Sequence, residues 1–289
     1  IARWSKANQL WEAVGNPQMQ TNGTVNCLDF DANGDLYIGG YFTKLAGIVG
    51  ANYFGKYIVS TDTWSAVGTA INDTVFTMEI APNGTIYIGG KFTSAGGNTD
   101  CKHIAYFNKV DNDWHPLSTG LNNNVYTLKF DPAGKLLIGG AFTNADGVNG
   151  DYICWWDGSA FKSFKDLGAT ELDKTVLSID INPNGTIIIG GDFLNAGGDP
   201  KADGVAAWRG NNWGSLLAGG VYGGPGVNNV LKIYCLSNGD IYVSGYFTYA
   251  GNLEVDRVVK SVGGAWQRLD IDLPEQGNPI NALLEASDG

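Results

Sequence analysis

The sequence predicts an all-β fold, a β-propeller of four-stranded blades, and three observations support this prediction. One motif recurs along nearly the whole chain at a spacing of 50 to 54 residues. The 289 residues include 42 glycines, and 12% are aromatic but only 16% charged, which is typical of short strands joined by tight turns. No long amphipathic helical pattern interrupts the repeats. We therefore expect one propeller domain over residues 1–289.

Each repeat predicts four strands. Two copies read VFTMEIAPNGTIYIGGKFTSAGG from Val75 and VYTLKFDPAGKLLIGGAFTNADG from Val125, and the others start at Val25, Val176 and Val230. Each copy begins with a first strand and a glycine turn. An apolar second strand follows, which ends in a glycine pair in all copies but the last, and an aromatic third strand comes next. A fourth strand centres on an aromatic residue in every copy: Trp64, Trp114, Phe161, Trp213 and Trp266. This pattern matches the blade of a propeller.

The two ends of the chain predict a sixth blade. Residues 1–15 match the third and fourth strands of the repeat, and residues 280–289 match its first strand and turn. Pairing of both ends in one sheet would close a ring of six blades, five of them built from continuous sequence. The second strand of this sixth blade is missing after Gly289. We therefore expect the polypeptide to continue, with this chain a fragment of a longer one.

The GGxFTxAGG core, followed by an aromatic third strand and a Trp, resembles the delta-sixty repeat, a relative of the kelch repeat. Such repeats occur in phage tail proteins and secreted bacterial surface proteins. The resemblance therefore implies a propeller of an extracellular, cell-surface or virion protein. It implies an architecture and not one activity.

Charge and cysteine content exclude several classes of function. The net charge of −11 comes with only 18 scattered Lys and Arg residues, which argues against nucleic-acid binding. No apolar run approaches the roughly 20 residues of a membrane helix, so we expect no membrane insertion. The four cysteines form no CxxC pair and are predicted to be buried free thiols, although a Cys101–Cys154 bridge remains conceivable.

One segment imitates a calcium-binding loop. Asp29, Asp31, Asn33 and Asp35 alternate as in the start of an EF-hand, but the twelfth position is Gly40 and the segment reads as strand, turn and strand. We therefore predict neither a metal site nor a cofactor.

A binding site is predicted on one face of the propeller. The loops between second and third strands and the segments that link blades lie on the same face by the hairpin path, and we call this face the variable rim. Its loops differ in length and include a long insertion at residues 218–229. Loops on a rigid scaffold are where binding usually occurs. The candidate ligand-binding residues are Asn72, Asn122, Asn123, Asp173, Tyr222, Asn228 and Asn229.

These residue types support two interpretations. Amides and carboxylates that converge on the propeller axis can hydrogen-bond sugar hydroxyls or hold a cation, and Tyr222 and Tyr249 can stack on a ligand. Alternatively, Asn and Asp only stabilise turns there, as they commonly do.

An enzymatic alternative rests on charged residues of the first strands. Asp29, Glu79, Lys129 and Asp180 share one position, where two acids could serve a glycan-processing hydrolase. Alternatively, Lys129 pairs with a neighbouring acid. His103 and His115 both belong to the second repeat and have no matching nucleophile motif. The sequence thus favours a non-catalytic recognition or structural module, whose partners are a glycan or protein receptor and other domains of the same or partner chains.

Overall fold

The computed structural model describes residues 1–15, 21–223, 229–269 and 280–282, and of Asn149 it describes the backbone only. The regular secondary structure of the described chain is antiparallel β-sheet, apart from two short 3₁₀ helices at Phe164–Leu167 and Ala196–Gly198. It divides into two compact units, Ile1–Leu128 and Lys129–Gly289, which are described separately below.

Unit 1 begins with a hairpin and continues with two four-stranded sheets. The hairpin consists of β1 (Ala2–Ser5) and β2 (Leu10–Ala13). The first sheet contains β3 (Thr24–Phe30), β4 (Leu36–Tyr41), β5 (Phe54–Ile58) and β6 (Thr63–Ser65). The second contains β7 (Val75–Ile80), β8 (Ile86–Gly90), β9 (Ile104–Asn108) and β10 (Asp113–Pro116). Strands follow one another in chain order within each sheet, as in a blade.

The next sheet begins with β11 (Val125–Phe130), within which the division between the units falls. It continues with β12 (Leu136–Gly140), and then β13 (Asn144–Ala145) and β14 (Val148–Asn149) form a separate small ribbon. The sheet is completed by β15 (Ile153–Trp156) and β16 (Phe161–Ser163).

Two further four-stranded sheets lie in unit 2. One contains β17 (Val176–Ile181), β18 (Ile187–Gly191), β19 (Val205–Trp208) and β20 (Trp213–Ser215). After β21 (Val221–Tyr222), the other contains β22 (Asn229–Cys235), β23 (Ile241–Tyr246), β26 (Val258–Val262) and β27 (Ala265–Gln267). The short strands β24 (Tyr249–Ala250) and β25 (Leu253–Glu254) pair with β21 instead. The five four-stranded sheets confirm the predicted repeat.

A glycine pair ends the second strand in four of the five repeats and allows a close backbone approach, whereas Ser244 replaces the first of these glycines in the fifth repeat. The pairing of β7 with β8 shifts after Val75, which is a bulge. A Cβ atom on Gly90 would lie 2.2 Å from the carbonyl oxygen of Thr74, a distance that no side chain tolerates. A Cβ atom on Gly89 would lie 2.4 Å from Cγ1 of Val125, the first residue of the following repeat. Gly90 therefore leaves room for the backbone at the bulge, and Gly89 leaves room for the first strand of the following repeat.

A recurring loop joins the second strand to the third. His103 has a left-handed φ of 64°, donates its N–H to Phe92 O at 2.8 Å and accepts from Gly90 N at 3.0 Å. Phe92 is fully buried. The same two backbone bonds are made by the corresponding residues of the other repeats, namely Tyr53, Tyr152, Gly204 and Arg257. Each variable loop is thus anchored at both ends, which leaves the residues between free to vary.

The fourth-strand tryptophans pack against the preceding repeat. Trp114 is 2% exposed, meets Phe54 edge to face at 5.2 Å, and donates from Nε1 to Val67 O at 3.1 Å. Trp266 makes the corresponding bond to Gly219 O at 2.9 Å. In these two repeats the fourth-strand tryptophan therefore connects its own sheet to the preceding repeat.

The predicted sixth blade falls largely outside the described residues, so it stays a prediction. A sixth blade would bury the aromatic residues of the N-terminal hairpin, but among the described residues Trp4 and Trp11 are 50% and 68% exposed, with their rings edge to face at 5.6 Å. Val14, at the end of the hairpin, is buried in the core of the first sheet. In unit 2, Ser244 donates to Ile280 O at 2.6 Å. Ile280 begins the segment predicted as the first strand of the sixth blade. Ser244 corresponds to Gly190 of the preceding repeat, where an added Cβ atom would lie 2.4 Å from Cγ1 of Val230, in the first strand of the next repeat.

No helix among the described residues has both the length and the apolar character needed to cross a membrane.

Candidate ligand-binding rim

Three of the recurring polar residues fix the loop that follows the second strand. Asn72 accepts hydrogen bonds at Oδ1 from the N–H groups of Thr93 (2.9 Å) and Ser94 (3.1 Å), and donates from Nδ2 to Thr93 Oγ1 (2.9 Å). Asn22 holds Thr43 and Lys44 in the same way. Asp173 accepts from Leu194 N at 2.8 Å. The turn-stabilising interpretation explains this recurrence, and a ligand-binding role of Asn72 and Asp173 stays a prediction.

The other asparagines named from the sequence occupy different environments. Asn122 and Asn123 are exposed, and Asn123 accepts from Asn124 N at 2.8 Å. Asn229 opens β22 and is half-buried, and its buried Oδ1 has no hydrogen-bond partner among the described residues. Asn228 lies outside the described residues. Asn122 and Asn123 belong to unit 1 and Asn229 to unit 2, and a ligand-binding role of these residues stays a prediction.

Tyr222 and Tyr249 form an aromatic pair on the rim. Tyr222 was expected in an irregular insertion, but it lies in β21 and pairs with Tyr249 of β24. The two rings stack at 5.4 Å with an angle of 13° between their planes, and the residues are 40% and 37% exposed. The Tyr222 hydroxyl donates to Gly251 O at 2.7 Å. Strand pairing and this bond hold both rings in place without burying them.

A small pocket, with room for about one water molecule, lies in unit 2 beside the 3₁₀ helix Phe164–Leu167. Its polar residues are Asp151, Ser163, Lys165, Thr170 and Glu171, and its apolar ones include Phe164 and Trp213. Lys165 and Glu171 form an ion pair. Oδ2 of Asp151 is buried and has no hydrogen-bond partner among the described residues. Burial, together with the nearby charge of Glu171, raises the pKa of Asp151, while Lys165 opposes this shift.

No pattern in the sequence distinguishes Asp151 from the other recurring rim acids, Asp100, Asp203 and Asp256, and none of the candidate residues named from the sequence is Lys165, Thr170 or Glu171. One signal was available in the repeat itself. The connection from Phe161 to Val176 is four residues longer than the one from Trp64 to Val75 or from Trp114 to Val125. The extra residues form the short helix and the turn after it, which build one side of the pocket.

The acids of the first strands are used within the fold. Lys129 Nζ lies 3.5 Å from Asp180 Oδ1, and Asp180 Oδ2 accepts from Cys235 N at 2.7 Å. Asp180 is buried, so these bonds stabilise its charge and connect β17 to β22. This is the ion-pairing alternative that the sequence left open, and it leaves Asp180 poorly placed to act as a general base.

The calcium-like segment and the two histidines form hydrogen bonds with residues close to them. Asp31, in the segment that imitates a calcium loop, accepts from Asn33 N and Asp35 N and so forms a turn. His103 Nδ1 lies 3.2 Å from Gly90 O, and His115 Nε2 lies 2.7 Å from Asp111 Oδ2. Within the described part of the chain, no group of three or more His, Cys, Asp or Glu residues is placed to hold a metal.

All four cysteines are free thiols, and the prediction that they are buried is right for only two of them. Cys101 and Cys154 are buried, whereas Cys27 and Cys235 are half-buried. Burial raises the pKa of Cys101 to about 11, so this thiol is protonated near neutral pH.

Comparison with known proteins identifies the fold. The family model described as the Rax2 C-terminal beta propeller domain matches residues 70–149, which is less than a third of the chain. The match and the repeated four-stranded sheets make the chain a β-propeller. No curated protein matches the chain in sequence.

Solved structures share the fold at low sequence identity. The extracellular domain assigned to a one component system of B. thetaiotaomicron is 10% identical with a TM-score of 0.53, over 82% of this chain and 28% of that one. A chain of the mitotic checkpoint complex is 13% identical with a TM-score of 0.57, over 96% and 72%. Virginiamycin B lyase of Staphylococcus aureus is 11% identical with a TM-score of 0.50, over 91% and 74%. At these identities the likeness concerns the fold alone.

Proposed function

We propose that this propeller is a non-catalytic recognition module of a larger extracellular protein, and that its variable rim binds a glycan or protein partner. The observation that carries the proposal is the exposed Tyr222–Tyr249 stack. Aromatic rings held on a rigid scaffold lose little conformational entropy on binding and present a large contact area. A parallel pair of rings suits the flat face of a sugar ring or an apolar side chain.

The geometry of the small sheet supports preorganisation. Tyr222 and Tyr249 are opposite each other in register, and β25 pairs with β24 through Tyr249 and Glu254. The Tyr222 hydroxyl is fixed on Gly251 O, so its ring has one defined direction. Groups that are already ordered cost less to immobilise when a partner binds.

The wider context of the proposal is an extracellular or virion protein, such as a bacterial surface or phage tail protein. The delta-sixty-like repeat supports this context, and one propeller of similar fold is an extracellular domain of a bacterial system. The chain spans only 28% of that protein's chain. The acidic net charge of −11 disfavours an anionic partner such as nucleic acid.

A binding screen tests the proposal. The purified chain is applied to a glycan array and used to capture proteins from host-cell extracts, and the affinity of each hit is then measured. Replacing both tyrosines, in a Tyr222→Ala/Tyr249→Ala variant, is expected to weaken binding at least about tenfold, as loss of aromatic anchors does. Because both residues are partly exposed, the melting temperature should change little.

A matched variant on the opposite face is the control. Asn184 Oδ1 accepts from Thr186 N at 2.9 Å in the turn between β17 and β18. Asn184→Ala should lower stability slightly and leave the affinity unchanged. If the tyrosine variant binds every partner as well as the parent protein does, the aromatic pair is not the binding surface.

A further inference from the structure

We infer that an exposed row of three side chains, Tyr222, Tyr249 and Glu254, recognises an arginine side chain of a partner protein. The inference rests on the proposed function, because it concerns the same surface of the variable rim. It narrows the partner from a glycan or a protein to a protein that presents an arginine. Three observations carry it: the two-faced construction of one small sheet, an unpaired carboxylate on its exposed face, and the aromatic stack beside that carboxylate.

The small sheet formed by β21, β24 and β25 has one face in the core and one face in solvent. Its register divides the six residues into two rows of directly opposite residues, an inner row of Val221, Ala250 and Leu253 and an outer row of Tyr222, Tyr249 and Glu254. The inner row packs in a hydrophobic core of unit 2. Successive side chains of a strand point to opposite faces, so the outer row points away from this core, and all three of its residues are exposed. The sheet therefore holds the outer row in place through the burial of the inner row.

Glu254 supplies the one charged group of the outer row. It lies directly opposite Tyr249, a relation in which the Cβ atoms of two residues are about 4.5–5.5 Å apart. Its carboxylate forms no hydrogen bond or ion pair with any described residue. A guanidinium can donate two parallel N–H bonds to such a carboxylate without breaking an existing contact.

Other polar groups around the sheet are already bonded within the fold. The Tyr222 hydroxyl donates to Gly251 O at 2.7 Å, and the Thr248 hydroxyl donates to the carbonyl oxygen of the residue after Tyr222. The next acid along the chain, Asp256, is paired with Arg257, whose Nε lies 2.6 Å from Asp256 Oδ1. Glu254 is therefore an acceptor left with an uncompensated negative charge. A guanidinium offers only donors and a positive charge, whereas the hydroxyls of a sugar need donors as well as acceptors from their site.

The aromatic pair suits the same group. The rings of Tyr222 and Tyr249 stack on each other, and Tyr249 is the middle residue of the outer row. The second face of the Tyr249 ring is therefore on the side of Glu254. Arginine stacks its planar guanidinium on aromatic rings and pairs with carboxylates through two bonds, whereas the lysine ammonium is a compact point charge. The net charge of −11 also attracts a cationic partner.

Nuclear magnetic resonance titration of the isotope-labelled chain with small probes tests the inference. The probes are acetylated and amidated tripeptides with a central arginine, lysine or citrulline, together with a methyl hexoside. Citrulline has the shape of arginine but no charge. We expect saturable shifts of the backbone amides of Tyr222, Tyr249 and Glu254 with the arginine peptide, and weaker binding of the lysine and citrulline peptides. Added salt should weaken binding of the arginine peptide and leave the citrulline peptide unaffected.

The variants separate the charge from the rings. Glu254→Gln should weaken binding of the arginine peptide by about threefold to fivefold, as the loss of an exposed ion pair does. Tyr222→Ala/Tyr249→Ala should remove the saturable shifts. Asp166→Asn is the matched control, because Asp166 is an exposed acid of unit 2 that lies in the 3₁₀ helix Phe164–Leu167, and this variant should bind like the parent protein.

Several results would overturn the inference. Equal affinity for the arginine and citrulline peptides, or unchanged binding by Glu254→Gln, would exclude a role of the carboxylate. Equal affinity for the lysine peptide would contradict the choice of arginine. Saturable binding of the hexoside that Glu254→Gln leaves unchanged would make the surface a glycan site.

A captured partner distinguishes failure of this inference from failure of the proposed function. Binding that depends on the two tyrosines but not on Glu254 would support the proposed function and contradict the arginine assignment. Binding that depends on neither the tyrosines nor Glu254 would contradict both.

Discussion

Asn72 shows how one side chain can support a whole loop. Its amide satisfies the N–H groups of Thr93 and Ser94 and the hydroxyl of Thr93 at the same time. Asn22 repeats this arrangement. Asp173 has no amide donor, but its carboxylate still accepts a hydrogen bond from the corresponding loop, at Leu194 N. The position is therefore explained by loop geometry before any ligand is considered.

Replacement of Asn72 separates the two interpretations of these residues. Asn72→Ala should lower the free energy of unfolding by about 1–2 kcal/mol, since two backbone donors lose their acceptor but remain partly accessible to water. Asn123→Ala is the control, because Asn123 only contacts its neighbouring N–H, and it should change stability by less than about 0.5 kcal/mol. Urea unfolding measures both. Unchanged stability of Asn72→Ala, combined with weakened partner binding, would make Asn72 a ligand-binding residue instead.

The sequence identified these residues but could not choose between their roles. An amide forms the same hydrogen bonds with a loop as with a sugar, and the partners of Asn72 lie 21 and 22 residues away along the chain. Only the folded loop reveals that its bonds are already made. The pocket acid Asp151 is the reverse case, because nothing in its sequence context distinguishes its unpaired oxygen from the solvated acid at Asp100.

At the level of elements, the glycine pair decides how closely adjacent strands approach. Gly90→Ala would place Cβ 2.2 Å from Thr74 O, a backbone atom that cannot rotate away. We expect destabilisation of about 3 kcal/mol or more, at the upper end of overpacking effects. Gly214→Ala, in β20, is the matched control because its nearest atom would be 3.7 Å away. Thermal unfolding compares the two variants. Equal melting temperatures would show that the bulge at Val75 relaxes easily and does not depend on glycine.

The strands that carry the repeat could be predicted, whereas the short strands of the rim could not. β11 begins at Val125, where this copy of the repeat begins in the sequence, because an alternating segment followed by a glycine turn recurs five times. β21, β24 and β25 are two residues long each and contain no periodicity that a pattern could reveal. For this reason the Tyr222–Tyr249 pairing was invisible, although both tyrosines were noted as potential stacking residues.

At the level of the whole molecule, the prediction of one domain implies that the whole chain unfolds in a single cooperative transition. The repeats predict a single propeller, and the structure divides into two compact units, with the division inside β11. Scanning calorimetry distinguishes the two possibilities. A single domain should give one transition with equal calorimetric and van't Hoff enthalpies. Two transitions, or a calorimetric enthalpy well above the van't Hoff value, would show that Ile1–Leu128 and Lys129–Gly289 unfold as separate domains.

The central claim is that the variable rim is the working face, and hydrogen–deuterium exchange of the chain with and without its captured partner tests it most directly. Exchange reports which backbone amides become protected. We predict slower exchange at β21 and β24, around Tyr222 and Tyr249, and unchanged exchange in the opposite turns at residues 81–85 and 182–186. Protection confined to those opposite turns, with β21 and β24 unaffected, would contradict the claim.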